Sequence, residues 1–321
     1  MEYRMRNNSV PEASSTSLLP TNITDLRMIR KVTSTSRGNT ASDSRRQEIL
    51  SRVIPLRYPG GKFYALKFIM PFVNRAEHDE YREPFVGGGA VFFAKRKVQH
   101  NWLNDLDQSL MVTYQVMADP TNRKHLAELL GKEVATPKRH AEVKSLEPVT
   151  PLGIAFRTYY LNRTSFSGIL HKPAWGYKIG QSVEPKGWPR KIMLPGMKLE
   201  GERLTALDFQ KVITESPQGK KVFMYLDPPY YASDQKRAYE QSFNLEDHKR
   251  LLRVLQETEY LFCLSYDDCP EIRKMYEWAN IYSGEWWYNT ANCRGTRRKK
   301  GKELIITNYE VKRDINAKLV A

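Results

Sequence analysis

The stretch VFMYLDPPYY, from Val222 to Tyr231, restricts the possible folds more than any other part of this 321-residue chain. Its first half is a short run of β-formers, suited to a strand buried on both faces in a parallel sheet. Two successive prolines then forbid both sheet pairing and helix continuation, so the strand must stop there. The prolines make a stiff elbow that holds Asp227 and Tyr230 at the carboxyl edge of a sheet. In open α/β folds ligands bind at that edge. An Asp-Pro pair is also an ordinary turn opener, so the rest of the chain has to decide between the two readings.

Around this elbow, strand and helix patterns alternate. RYPGGK (Arg57 to Lys62) is a tight Gly turn before FYALKFIMPFV, which has helical spacing. YREPFVGGGAVFFAKRK reads as strand, Gly-rich turn and helix, and a further strand ends near Asn104. The alternation resumes at LTALDF and continues through the elbow, the helix FNLEDHKRLLRVLQE, the strand YLFCLSY and the last strand ELIITNY. Such alternation predicts a doubly wound α/β sheet. The middle block is different. A charged helical stretch runs to Lys144, and an aromatic segment punctuated by Gly and Pro comes after it with poor periodicity. The expected organisation is a disordered tail over residues 1–50, a catalytic domain split into 51–119 and 200–316, and an inserted domain over 120–199. The tail is expected from its richness in Ser, Thr, Asn and Arg and its poverty in aromatics.

A formal net charge of +15 favours a polyanionic partner, and nucleic acid is the commonest one. Three cysteines without a CxxC pair, and six scattered histidines, offer neither a disulfide framework nor metal-ligand spacing. No apolar run is long enough to span a membrane, so a cytoplasmic protein without membrane partner or metal is expected.

In REPFVGGGAVFF, Gly87, Gly88 and Gly89 let the backbone approach a ligand closely between a strand and a helix. The GKS/T ending of a P-loop is absent, and Phe92 stands where the dinucleotide fingerprint has its third glycine. Asp105 lies 18 residues after Gly87, at the end of the next strand. An acid at about that distance accepts hydrogen bonds from ribose hydroxyls in nucleotide-binding α/β folds. The pair suggests an adenosine-containing ligand; the plainer alternative is a packing turn and a helix-capping aspartate.

PGGK, EPFVGGGAVF, LNDLD, LNRTSFSG, DPPY and ELIITNY together resemble, in identity and order, the motifs of Dam-type DNA adenine methyltransferases. The resemblance runs from about Arg57 to Tyr309. It implies a Rossmann-like, S-adenosylmethionine-dependent sheet with an antiparallel strand at one end, and a target recognition domain in the inserted block. By the same resemblance Tyr58, Lys62, Phe85, Gly87, Gly89, Asp105, Asp208, Phe209 and Asp227 would contact the cofactor, and Asp227, Pro228, Pro229 and Tyr230 would form the catalytic elbow.

The chemistry of such an elbow is set by the substrate. The exocyclic amine of adenine is a poor nucleophile, because its lone pair is delocalised into the ring. The Asp227 carboxylate and the Pro228 carbonyl are acceptors that can grip its two hydrogens, and Tyr230 can stack on a base flipped out of a duplex. Duplex contacts are expected from Arg57, Asn162, Arg163, His171 and Lys172, and from Arg294, Arg297, Arg298 and Lys300 in the basic run CRGTRRKKGK. His171 stands where family members that recognise GATC commonly carry an arginine, so a different or relaxed target is expected. A prokaryotic or phage-encoded source, and a cognate restriction endonuclease as partner, fit the resemblance. The rivals are an RNA adenine methyltransferase, a cytosine-N4 DNA methyltransferase, and a catalytically silent DNA-binding homologue. The Asp of DPPY disfavours the cytosine enzyme, which usually carries a form such as SPPY.

Overall fold

The computed structural model describes residues 54–231, 243–287 and 300–311. The expected tail over residues 1–50 lies outside the described residues.

Seven strands form one sheet: β1 (Glu80–Glu83), β2 (His100–Asn104), β3 (Arg203–Thr205), β4 (Val222–Leu226), β5 (Leu261–Asp267), β6 (Asn280–Trp287) and β7 (Lys300–Thr307). Their order is β3-β2-β1-β4-β5-β7-β6. The pairs β2–β3, β1–β2, β1–β4 and β4–β5 are parallel, whereas β7 runs antiparallel to both β5 and β6. This is the doubly wound sheet with its antiparallel strand.

Both faces are covered, and the strands show it residue by residue. Phe223, Tyr225, Cys263 and Ile305 enter one apolar cluster; Val222, Met224, Leu226, Phe262, Leu264, Leu304 and Ile306 enter the other. That alternation is the period of a strand whose successive side chains point to opposite faces. The second cluster also takes residues from the helix Leu245–Glu257. That helix starts with a capping box, in which Asn244 accepts from Asp247 and the Asp247 side chain accepts from the Asn244 N–H.

The first cluster extends through the middle block. Leu126, Val143, Tyr159, Tyr160, Trp188 and Ile192 share it with Phe92 and Leu103 of the sheet side. The segment expected to lack regular periodicity holds two α-helices, Pro151–Thr164 and Trp188–Leu199, joined by a stretch with only short 3-10 turns at Phe166–Gly168 and Pro185–Gly187. For Pro151–Thr164 the reason is the burial of its second half on all sides. Thr158 to Thr164 are consecutively buried, so no polar face exists to produce an amphipathic stripe.

Strand β1 also hides its nature, since all four residues of EYRE are buried. Its Arg82 is satisfied by Glu80 at 2.7 Å and by the carbonyls of Val212 and Glu215 at 2.8 and 2.7 Å. Strand β6 adds a member that the alternating pattern does not announce. It occupies the sheet edge, where Ser283 and Glu285 stay exposed and the apolar signal is weak.

Candidate active site

The sheet order reverses between β1 and β4, from which the chain leaves in opposite directions. In doubly wound folds a crevice opens at the carboxyl ends of the strands at that point. The Gly-rich loop comes after β1 and the DPPY elbow after β4, so both signals fall on the two sides of one crevice. A cleft of about 1030 Å³ lies there. Tyr58, Lys62, Phe85, Gly87, Gly89, Asp105, Asp208, Phe209, Asp227, Pro228, Pro229 and Tyr230 all line it.

The glycine loop is locked from several directions. Gly87 has φ of +45°, and a Cβ placed there would lie 2.8 Å from Tyr58 Cδ1. Its N–H donates to Asp105 Oδ2 at 2.9 Å, and its carbonyl accepts from the Tyr114 hydroxyl at 2.7 Å. The other oxygen of Asp105 accepts from the Asp107 N–H at 3.1 Å. Burial pushes the Asp105 carboxyl up to about 6, against the pull of these two N–H groups. Asp105 is not the helix cap; Asp107 caps Gln108–Ala118 by accepting from Leu110 N–H. Asn104, which no sequence pattern marks as functional, ties the loops together. Its amide donates to the carbonyls of Pro84 and Leu207, and its oxygen accepts from Leu207 N–H and the Thr205 hydroxyl.

At the far wall, Asp208 caps the short helix Phe209–Thr214 and is gripped at both oxygens by Arg250, at 2.8 and 2.9 Å. The Arg250 guanidinium sits 4.2 Å from the centre of the Phe209 ring. Phe85, Phe209 and Phe243 have ring centres 5.3 to 5.7 Å apart and form an aromatic wall. Neither Arg250 nor Phe243 carries a motif signal, and only the folded contacts bring them in.

At the elbow, Lys62 Nζ lies 2.7 Å from Asp227 Oδ1 and donates to the Gly60 carbonyl at 2.9 Å. The same ammonium is 4.7 Å from the centre of the Tyr230 ring. Burial raises the Asp227 carboxyl above its ordinary range, and Lys62 opposes that rise. The Tyr230 hydroxyl donates to Glu303 Oε2 at 2.5 Å. Glu83, also lining the cleft, is pushed up to about 8 by burial, and the Asp227 charge acts in the same direction.

The expected duplex-facing residues divide. His171 and Lys172 line the cleft, on a segment pinned by the bridge between Ser165 and Trp175. Arg57, Asn162 and Arg163 depart from the expected role, because their polar groups are spent inside the protein. The Arg57 guanidinium donates to the carbonyls of Asn162, Arg163 and Ser165, and the Asn162 amide donates back to those of Arg57 and Gly168. Arg163 donates to the Pro55 carbonyl and to the Tyr159 hydroxyl. These residues form a clasp that fastens the stretch of chain before Tyr58 to the segment leading to His171. Gly168 is where the two backbones meet, since a Cβ there would lie 2.7 Å from the Arg57 carbonyl oxygen. Arg294, Arg297 and Arg298 lie outside the described residues, and Lys300 is described only as the first residue of β7, opposite Trp287.

Residues 58–290 match the profile of the D12 class of N6 adenine-specific DNA methyltransferases. The chain belongs to this family. It is an adenine-specific DNA methyltransferase, and its methyl donor is S-adenosylmethionine. Type II methyltransferase M1.LlaDCHI of Lactococcus lactis subsp. cremoris is 26% identical, over 79% of this chain and 94% of its own length. Type II methyltransferase M.MjaIII of Methanocaldococcus jannaschii is 25% identical over 79% and 98%, and M.CviBI of Paramecium bursaria Chlorella virus NC1A is 24% identical over the same shares. Among solved structures, the rRNA methyltransferase aviRa from Streptomyces viridochromogenes aligns with 80% of this chain and 90% of its own. Its TM-score of 0.34 and 10% identity add nothing to the assignment.

The residues present fit the methyl donor. Asp105 lines the cleft and accepts from the Gly87 and Asp107 N–H groups, while a carboxylate can accept about four bonds, so acceptor capacity remains for ribose hydroxyls. No helix among the described residues is long and apolar enough to cross a membrane.

Proposed function

We propose that the chain methylates adenine within double-stranded DNA, after flipping the base into the cleft beside the DPPY elbow. The observation that carries this reading is the convergence of the Gly-rich loop and the elbow on one cleft at the switch point of the sheet. S-adenosylmethionine supplies an electrophilic methyl group on a sulfonium. Asp105 would accept from its ribose hydroxyls, the Gly87 loop and Tyr58 would flank its methionine part, and Asp208, Phe209 and the aromatic wall would flank its adenine.

The chain's own residues then act on the target base. The Asp227 carboxylate and the Pro228 carbonyl accept the two amine hydrogens and draw the nitrogen toward the reactive geometry. As the amine gains positive charge, a desolvated carboxylate beside it stabilises that charge more than water would. Tyr230 provides the stacking surface, worth about 1–3 kcal/mol for one base. Helices over residues 120–199, with His171 and Lys172 at the cleft, would form the target recognition region. His171 in place of arginine favours a target other than GATC. A cognate restriction endonuclease and a cytoplasmic setting in a prokaryote, virus or phage suit the type II relatives.

Asp227→Ala tests the assignment. At saturating cofactor, single-turnover transfer to adenine-containing duplex should fall by at least two to three orders of magnitude, from about 3–4 kcal/mol of lost electrostatic stabilisation. Duplex affinity should stay close to wild type. Transfer at the wild-type rate would reduce the elbow to a turn.

A further inference from the structure

Asp267 and Glu303 stand directly opposite one another across the antiparallel pair β5–β7. Each grips the elbow, at consecutive residues. Asp267 Oδ1 accepts from the Tyr231 N–H at 3.0 Å, and Glu303 Oε2 accepts from the Tyr230 hydroxyl at 2.5 Å. Glu303 is 1% exposed, and its Oε1 has no partner among the described residues.

For stability alone this is an unfavourable design. Like charges directly opposite in a sheet repel, and a buried carboxylate oxygen without a donor is costly. Burial pushes the Glu303 carboxyl up to about 7, against the pull of Lys62. Lys302 before it in β7 is exposed, whereas Glu303 is buried with Leu304, Ile305 and Ile306, so it is a carboxylate carried into the apolar part of the strand. What the carboxylate gains in return is control of one ring. Tyr230 comes after two prolines that stiffen its backbone, but they leave its side-chain torsions free. The bond to Glu303 fixes the hydroxyl end of the ring, whose face also meets Lys62 at 4.7 Å and whose centre lies 6.2 Å from that of Tyr266.

We propose that Glu303 is a positioning residue for methyl transfer: it holds the Tyr230 hydroxyl so that the ring is preset to receive the flipped adenine, while Asp267 anchors the backbone one residue further on. The inference rests on the stacking role proposed for Tyr230. It places the fixing element on the last strand, 73 residues from the tyrosine it orients.

The test uses the full chain and a duplex carrying its own methylation site, mapped from modified genomic DNA, with 2-aminopurine at the target adenine in a parallel set. Glu303→Gln, Tyr230→Phe, the double variant and Tyr230→Ala are compared by single-turnover methyl transfer at saturating S-adenosylmethionine and by the rise in 2-aminopurine emission. Tyr230→Phe should slow transfer about tenfold or more, the loss expected for one charge-assisted hydrogen bond; Glu303→Gln, which keeps an acceptor oxygen and loses only the charge, should slow it by less, and each should blunt the emission rise. The double variant should be no slower than the worse single variant, because both act on the same bond, which Tyr230→Phe already removes. A merely structural carboxylate would shift the thermal midpoint and leave transfer and emission at wild-type values. Wild-type transfer in both single variants, or effects that multiply in the double, would overturn the inference. Tyr230→Ala separates the two levels: if it too is neutral, the stacking role itself fails; if it alone loses capture, only the positioning by Glu303 fails. Should Glu303→Gln not fold, Tyr230→Phe against Tyr230→Ala still decides.

Discussion

Replacing Gly87 by alanine should damage both the fold and cofactor binding, and the structure allows the size to be worked out. Gly87 sits at φ of +45°, where a residue with a Cβ is strained by about 1–2 kcal/mol. The new Cβ would stand 2.8 and 3.0 Å from two carbons of the Tyr58 ring. Relief by backbone movement is blocked, because the N–H is held by Asp105 and the carbonyl by the Tyr114 hydroxyl. Tyr58 must therefore move, and overpacking of this kind costs about 1–3 kcal/mol. Together these predict a loss of roughly 2–5 kcal/mol in stability, measurable by urea unfolding. Tyr58 and Gly87 both line the cleft, so S-adenosylmethionine affinity in calorimetry should fall by about tenfold to a hundredfold, since each 1.4 kcal/mol is tenfold. Gly88→Ala should lose less, since Gly88 has no left-handed φ and its Cβ would come no nearer than 3.2 Å, to Tyr58 Cβ. A Gly87→Ala protein with the wild-type midpoint and affinity would refute the lock between loop and Tyr58.

Asp105→Ala should weaken S-adenosylmethionine binding by about 1.5–3 kcal/mol in calorimetry on the folded variant, the range for a charge-assisted hydrogen bond. It should also lower the unfolding midpoint, because the Gly87 and Asp107 N–H groups lose their acceptor; unchanged affinity would confine Asp105 to holding the loop. Glu303 moves from an ordinary 4.5 to about 7 on folding, so the native state keeps its proton longer than the unfolded chain does. Its contribution is full below about pH 4.5 and is lost as pH rises toward 7, a difference of a few kcal/mol at most, at about 1.4 kcal/mol per unit. Glu303→Gln removes that slope, so its stability relative to wild type should rise between pH 5 and 7; a difference that stays flat in urea titrations at several pH values would contradict the raised carboxyl.

Much of the cofactor side was legible in the chain itself. The Gly-rich turn, Asp105, the LDF stretch and the elbow each come directly after a strand, where local rules about glycine, proline and strand termination apply. Once the strands are parallel, all those ends must lie on one edge of the sheet, and the switch point gathers them into one cleft. Position supports the functional elbow over an ordinary Asp-Pro turn: Asp227 and Tyr230 line the cleft that Gly87 and Asp105 also line.

What the sequence by itself determined was the order of elements and which residues stand at strand ends, because backbone preference acts over a few neighbouring residues. Only the tertiary structure decided what each polar side chain does there. Arg57 reads as one more cation beside a glycine turn, yet 105 residues later Asn162 supplies the carbonyl and amide that turn it inward. Glu303 reads as a polar start to an apolar strand, until β7 sets it against Tyr230. The helix Pro151–Thr164 escapes a periodicity search because it is enclosed, and β6 escapes because it is exposed at an edge. Burial and partnership are properties of the packed chain: a guanidinium or a carboxylate takes its role from the groups that replace its water, and those groups come from distant parts of the sequence.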